Sequence, residues 1–247
     1  MNTKTAIVSG AGDDLGFAIA MHLSSAGMSV ALIDQDPTLK AKAQDIQRRT
    51  LMPVIGFNAD ISDAQIAADT VAAIIQEFGF LNVLINNPHR RRSTPVDASW
   101  EDALADWATI INNNLRGTLF LSRACIPHLK EANPSSILNI SSADVLPFSG
   151  EPTNAPDQDI YLASKWALNG FTDGWAEQLK AYDIRVNALC PGRMNKEEGL
   201  SVEQVAELAE EVLFSQRNGE NVGITTTPTP RLAPSPPRHL RITGQAQ

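Results

Sequence analysis

The stretch "TAIVSGAGDDLGFAIAMHLSSAG", residues 5–27, decides the reading of the fold. Its first six residues form a short apolar run closed by a glycine, the pattern of a buried strand. From Leu15 onward, apolar residues recur at helical spacing and stop at Gly27, a residue suited to the position just past a helix C-terminus. Between the two lies "SGAGDDLG", residues 9–16. Glycines at a strand-to-helix turn let a phosphate approach the backbone, and the helix N-terminus stabilises its charge. Taken alone the turn is weak support for a ligand, since such turns also occur without one.

Working outward, the alternation repeats. "SVALID" (29–34), "MPVIGFNAD" (52–60), "LNVLINN" (81–87), "SSILNISS" (135–142) and "IRVNALCPG" (184–192) read as further strands. Helical patterns separate them. "PTLKAKAQDIQRRT" carries Pro37 near its first turn, and the helix opening "SDAQ" is capped by Ser62 or Asp63. A long helical region spans about 100–129, where Pro127 should end or kink it. Two more helices cover about 160–180 and "SVEQVAELAEEVLFSQ" (201–216). This order predicts an α/β fold, a Rossmann-like, doubly wound, mostly parallel sheet with helices on both faces. No linker interrupts the chain before residue 220, so residues 1–220 are expected to form one domain. Residues 221–247 are rich in proline and read as an extension, with room for a short edge strand around Ile224.

Composition narrows the function classes. The chain has 247 residues, 43% of them apolar, enough for a substantial core. A net charge of −8 disfavours a general nucleic-acid binder. "MNTKTAIVSG" runs straight into a strand without the apolar core of a secretion signal, and no apolar run approaches the roughly 20 residues that span a bilayer. No membrane partner is expected. Cys125 and Cys190 are the two cysteines, far apart and without metal-ligand spacing, and are expected as buried, reduced thiols of a cytoplasmic protein.

Two further features carry chemistry. Asp34 ends the second strand, 18 residues after Gly16. A carboxylate there accepts hydrogen bonds from ribose hydroxyls and repels a 2′-phosphate, favouring NAD over NADP; its blander reading is a helix cap. In "DIYLASKWALNGF", residues 159–171, Tyr161 and Lys165 stand one helical turn apart on one face. A free tyrosine is a poor base at neutral pH, and a nearby ammonium favours the phenolate. The pair alone is only suggestive.

Together these stretches resemble the short-chain dehydrogenase/reductase family over about residues 5–215. The family turn is Thr or Ser followed by Gly-x-x-x-Gly-x-Gly. Ser9, Gly10 and Gly16 match it, with Gly12 and Leu15 inside the turn, but Asp14 replaces the middle glycine. An acidic residue before the third helix, here Asp60 followed by Ile61, is implied to meet the adenine. After the fourth strand Asn86 and Asn87 match, whereas Pro88 and His89 do not. Asn114, Leu115 and Gly117 match the long-helix motif, and Pro191–Gly192 matches the segment bordering the nicotinamide. The resemblance implies Tyr161 as acid–base, Lys165 as its tuner and ribose contact, Ser142 as partner of the substrate oxygen, and Asn114 as holder of a relay water. It implies an NAD-dependent oxidoreductase, NADP being the less favoured cofactor, acting on a small secondary alcohol or ketone. It also implies a homodimer or homotetramer, with Trp107, Phe120, Trp166 and Trp175 giving apolar area at the interface or in the core.

Departures from the pattern define a rival. Asp14 puts a carboxylate near the expected pyrophosphate unless it turns to solvent. The interval between Ser142 and Tyr161 is longer than usual, through the polar loop "PFSGEPTNAPDQD" (147–159), expected at the substrate mouth. Asn195 replaces a threonine, and the segment after Gly192 is too short for the usual lid. "HRRR" (89–92) near the cleft suits a carboxylate, a phosphate or an acyl carrier, or else is a solvated loop. The rival is a protein of this fold that has lost turnover and binds nicotinamide in a regulatory role.

Overall fold

The computed structural model describes residues 3–146, 157–192, 194, 200–225 and 230–233. Strands β1 (Thr5–Ser9), β2 (Ser29–Asp34), β3 (Val54–Asn58), β4 (Val83–Asn86), β5 (Ser135–Ile140), β6 (Ile184–Cys190), β7 (Asn221–Thr225) and β8 (Arg231–Leu232) form one sheet in the order β3-β2-β1-β4-β5-β6-β7-β8. All pairings are parallel except β7 with β8. Helices α1 (Asp14–Ser25), α2 (Leu39–Thr50), α3 (Ala64–Phe78), α4 (Trp100–Ile110), α5 (Gly117–Glu131), α6 (Asp159–Leu179) and α7 (Val202–Phe214) supply the crossovers. None of the described helices is long and apolar enough to cross a membrane.

The unbroken apolar character of β1 follows from burial on both sides. Ala6 and Val8 pack with Ile19, Leu23, Val205 and Val212 of α1 and α7, whereas Ile7 points to the opposite layer with Ile74, Leu121 and Trp175. Strand period two thus feeds two separate cores. A buried polar cluster crosses the second layer. Asn86 Nδ2 donates to Ser122 Oγ (3.0 Å) and Asn139 Oδ1 (2.9 Å), and Asn139 Nδ2 donates to Thr172 Oγ1 (2.9 Å). These bonds fix β4 and β5 against α5 and α6, the helix that carries Tyr161.

The helix ends follow their local chemistry. Asp63 caps α3, accepting from Gln65 N and Ile66 N. Ser201 caps α7 in a reciprocal pair with Gln204. Pro37 precedes α2, whose flanking residue is Thr38. The expectation for the long helix needs correction. Pro127 lies inside α5, which continues to Glu131; the interruption comes earlier, as a π-helical segment at Ile111–Arg116 that contains Asn114. The expected strand around Ile224 is β7; it pairs with β6, so the sheet runs past residue 220.

Chain order reverses between β1 and β4, which are adjacent while β2–β3 and β5–β8 extend in opposite directions. A crevice opens there beyond the carboxyl ends of the strands. Ser9 and Asn86, the last residues of β1 and β4, pair across that junction.

Candidate active site

The crevice divides into two spaces. A narrow one of about 60 Å³ is lined by Ser9, Gly10, Asp34, Ile61 and Asn114 among others. A wider cleft of about 610 Å³ is lined by Leu15, Ser142, Tyr161, Lys165, Pro191 and Gly192 among others. Asn87, Pro88 and His89 line both, so the loop after β4 partitions them. Gly12, Asp14, Gly16, Asp60 and Asn86 line neither.

The first turn is tightly closed. Gly10 has φ +63°, and a Cβ there would lie 2.1 Å from the Asn87 carbonyl oxygen; one on Gly16 would lie 2.2 Å from the Gly10 carbonyl oxygen. Only glycine fits either position. Gly12 N donates to Asp34 Oδ2 (2.9 Å), and Asp34 Oδ1 accepts from Asp36 N (3.0 Å), which fixes this carboxylate at the end of β2. Lys42 Nζ donates to the Gly12 carbonyl and to Asp36 Oδ2 (2.7 Å), bracing the turn from α2. A glycine turn leading into the N-terminus of α1, with a fixed carboxylate at the end of β2, fits the phosphates and ribose of a nicotinamide dinucleotide.

The acid near that cradle is Asp13, not Asp14. Asp14 is exposed in the first turn of α1, while Asp13 is the N-cap. Asp13 Oδ1 accepts from Gly16 N (2.6 Å) and Asn87 Nδ2 (2.9 Å), and Oδ2 lies 3.6 Å from His89 Nδ1. Burial pushes the Asp13 carboxyl above its usual range, against the opposing pull of His89. His89 Nδ1 donates to the Asn87 carbonyl oxygen at 3.2 Å. Asp13 was legible: an aspartate just before a helical run is a capping residue, and a cap side chain turns back over the helix end.

Two other expected site residues have protein partners of their own. The Asp60 carboxylate is exposed and accepts from the backbone and hydroxyl of Ser62 (3.0 and 2.7 Å), leading the chain into α3; its neighbour Ile61 lines the narrow space. The Asn86 side chain is wholly buried in the polar cluster between β4 and β5, whereas Asn87 faces the crevice.

The wider cleft gathers the groups expected at its floor. Tyr161 and Lys165, on α6, are each only 2% exposed. Lys165 Nζ donates to the carbonyls of Pro88 (2.6 Å) and Ile140 (2.8 Å) and lies 5.5 Å from the Tyr161 ring. Burial, reinforced by the positive Arg91, lowers its pKa to about 7. The Ser142 hydroxyl, just past β5, donates to Asp144 Oδ2 (2.9 Å). Asn114, wholly buried in the π-helical segment, accepts from Arg90 N (3.2 Å) and donates to Arg90 O (3.0 Å) and Ser164 Oγ (3.1 Å). Its side chain thus anchors the loop after β4.

The cation nearest the phenol is Arg91 rather than Lys165. Arg91 Nη2 donates to Tyr161 Oη (2.9 Å), and its Cζ lies 4.5 Å from the ring centre. Burial nonetheless holds the phenol above its ordinary pKa, opposed by Arg91. Both cysteines are buried, and burial raises Cys190 to about 12. Trp175 is buried and stacks on Phe171 at 5.6 Å, while Trp166 is 52% exposed. Most of the 147–159 loop and Asn195 lie outside the described residues; at the loop's end, the Asp157 carbonyl oxygen accepts from Thr94 N (2.7 Å).

Comparison with known proteins agrees with this geometry. The family model described as short chain dehydrogenase matches residues 4–204. An uncharacterized oxidoreductase of Staphylococcus epidermidis is 27% identical over 192 residues, covering 78% of each chain. A 3-oxoacyl-[acyl-carrier-protein] reductase of Thermotoga maritima is 28% identical over 217 residues, 86% of this chain and 82% of the relative. In fold, the chain resembles an NAD+-bound xylitol dehydrogenase with a TM-score of 0.78 at 22% identity, over 90% of this chain and 97% of that one. The protein belongs to the short-chain dehydrogenase/reductase family, whose members use nicotinamide cofactors. It is an oxidoreductase acting on CH–OH groups.

Proposed function

We propose that the protein interconverts a secondary alcohol and the corresponding ketone of a small organic molecule, with NAD preferred to NADP. The observation that carries this reading is the Tyr161–Lys165 pair, buried at the floor of the 610 Å³ cleft with the Ser142 hydroxyl opening into the same space. A nicotinamide ring, when bound, supplies or accepts the hydride. Tyr161 Oη exchanges a proton with the substrate oxygen. The Lys165 ammonium favours the phenolate and holds the cofactor ribose. Ser142, donating to Asp144, keeps its oxygen lone pairs toward the substrate hydroxyl and turns its proton to a carbonyl. Asn114 positions the loop that bounds the site. Ser9, Gly10, Gly12, Leu15 and Gly16 shape the phosphate turn, with Asn87 and Ile61 beside it and Pro191–Gly192 at the nicotinamide end. Asp34 supports the NAD preference: its fixed carboxylate suits ribose hydroxyls and repels a 2′-phosphate. We further propose a homodimer or homotetramer joined through α4, α5 and α6, where Trp100, Leu104 and Trp166 expose apolar surface.

One observation favours a binding or regulatory protein without turnover. The loop after β4 holds Lys165 through the Pro88 carbonyl and Tyr161 through Arg91, and the space on the Asp34 side is only about 60 Å³. Titration calorimetry with NADH and NADPH, followed by turnover assays on secondary alcohols and ketones, separates the readings. Tight NADH binding with turnover is expected. Binding without turnover would favour the rival, and binding of neither nucleotide would overturn both.

A further inference from the structure

The three arginines after β4 differ in their partners. Arg92 pairs with Asp106 at 3.6 Å. Arg90 is held by its backbone on Asn114. Arg91 meets no carboxylate within ion-pair distance among the described residues; it enters the wider cleft and donates to the neutral phenol of Tyr161. A guanidinium with a phenol as its partner keeps most of its fork for another acceptor.

The surrounding charges sharpen this. Lys165, at the cleft floor, is buried and donates to two backbone carbonyls. The Asp13 carboxylate is engaged by Gly16 N and Asn87, and Asp144 accepts from Ser142. Arg91 is therefore the cation in the cleft best placed to meet a ligand anion.

We propose that Arg91 is a specificity-determining residue, and that the substrate is an oxo acid or hydroxy acid whose carboxylate binds Arg91 while its reacting oxygen binds Tyr161. This deepens the oxidoreductase reading and rests on it. Geometry also sets the chain length. Arg91 Nη2 and Tyr161 Oη are 2.9 Å apart. A carboxylate oxygen on the first and a reacting oxygen on the second, each at ordinary hydrogen-bond length, lie roughly 3–5 Å from each other. That separation suits a reacting carbon attached to the carboxylate carbon or one position further along, as in 2-oxo and 3-oxo acids. The carboxylate takes no part in bond changes; it accepts from guanidinium hydrogens that Arg91 does not give to the phenol, while Tyr161 Oη keeps its own proton for exchange with the reacting oxygen.

The test is calorimetric and needs no turnover. Acetoacetate, 2-oxobutyrate and the neutral 2-pentanone are titrated into the full chain with and without NAD, for wild type, Arg91→Gln, Arg91→Lys and, as a control, Arg92→Gln. Thermal unfolding checks that each variant folds. At least one of the two acids is expected to bind the wild type, to weaken by roughly tenfold or more in Arg91→Gln, and to recover partly in Arg91→Lys. Arg92→Gln should match wild type, and 2-pentanone should respond to neither change or bind too weakly to detect. The proposal is overturned if neither acid binds, if Arg91→Gln binds them as wild type does, or if Arg91→Gln instead tightens the neutral ketone, which would make Arg91 a plug. Arg91-dependent acid binding without turnover would keep Arg91 as the carboxylate site and favour the rival without turnover. Turnover of neutral ketones with no dependence on Arg91 would do the reverse.

Discussion

On the β5–α6 side of the cleft, Ser142, Tyr161 and Lys165 hang from a strand end and a long helix, and a buried amide network ties those elements together. On the β1–β4 side, Asp13, Pro88, His89 and Arg91 hang from two loops. The first side keeps the family's residues at the family's spacing on the helix; the second departs from the family pattern at Asp14, Pro88 and His89. Rigid elements fix a proton-transfer group through packing that many residues share, so their sequence is constrained. Loops meet the ligand directly, and a change there alters affinity or selectivity without disturbing the fold.

The comparison can be broken on the helix side first. Lys165→Met should lower kcat by roughly 100- to 10,000-fold, the range for removing acid–base support. The same variant carries a pH signature. Burial lowers the folded-state pKa of Lys165 from 10.5 to about 7. A cation with a depressed pKa destabilises the fold fully below that value and not at all above its unfolded value. Wild type should therefore gain stability relative to Lys165→Met as pH rises from about 7 to 10.5, measured by denaturant unfolding. A pH-independent difference would contradict the placement of that charge.

On the loop side, effects should be smaller and fall on binding. Asp34→Ala should reduce discrimination against NADP by roughly tenfold or more, because the repulsion of a 2′-phosphate disappears. An unchanged ratio of dissociation constants would refute the role of Asp34. Asp13→Asn keeps an oxygen to cap Gly16 but removes a negative charge beside the phosphate turn. It should tighten NADH by roughly three- to tenfold at neutral pH. Weaker binding would mean that the charge organises Asn87 and His89 more than it repels phosphate.

The same contrast explains what could be read from the sequence. Each parallel strand is an apolar run because both faces are covered, so the sheet and its order of elements were visible in strands such as "TAIVS". Tyr161 and Lys165 were visible because helical spacing alone puts them on one face. The π-helical segment was not, since "INNNLR" carries no period that separates a widened turn from an α-helix, and Pro127 is accommodated inside α5. Asp14 stands at a glycine position of the family turn, near the phosphates or turned to solvent; cap geometry turns it to solvent and brings Asp13 over the helix end. Asn86 and Asp60 sit at expected motif positions, yet one completes a core network and the other closes a local turn. Arg91 was visible as charge; its meeting with Tyr161, 70 positions away in sequence, was not.

Tyr161→Phe tests the central claim most directly, because it removes one oxygen and keeps the ring in its packing. Stopped-assay turnover on the best alcohol or ketone, with NADH affinity measured on the same samples, should show kcat down by at least about 100-fold and the dissociation constant within about twofold of wild type. Wild-type turnover in Tyr161→Phe would contradict the account.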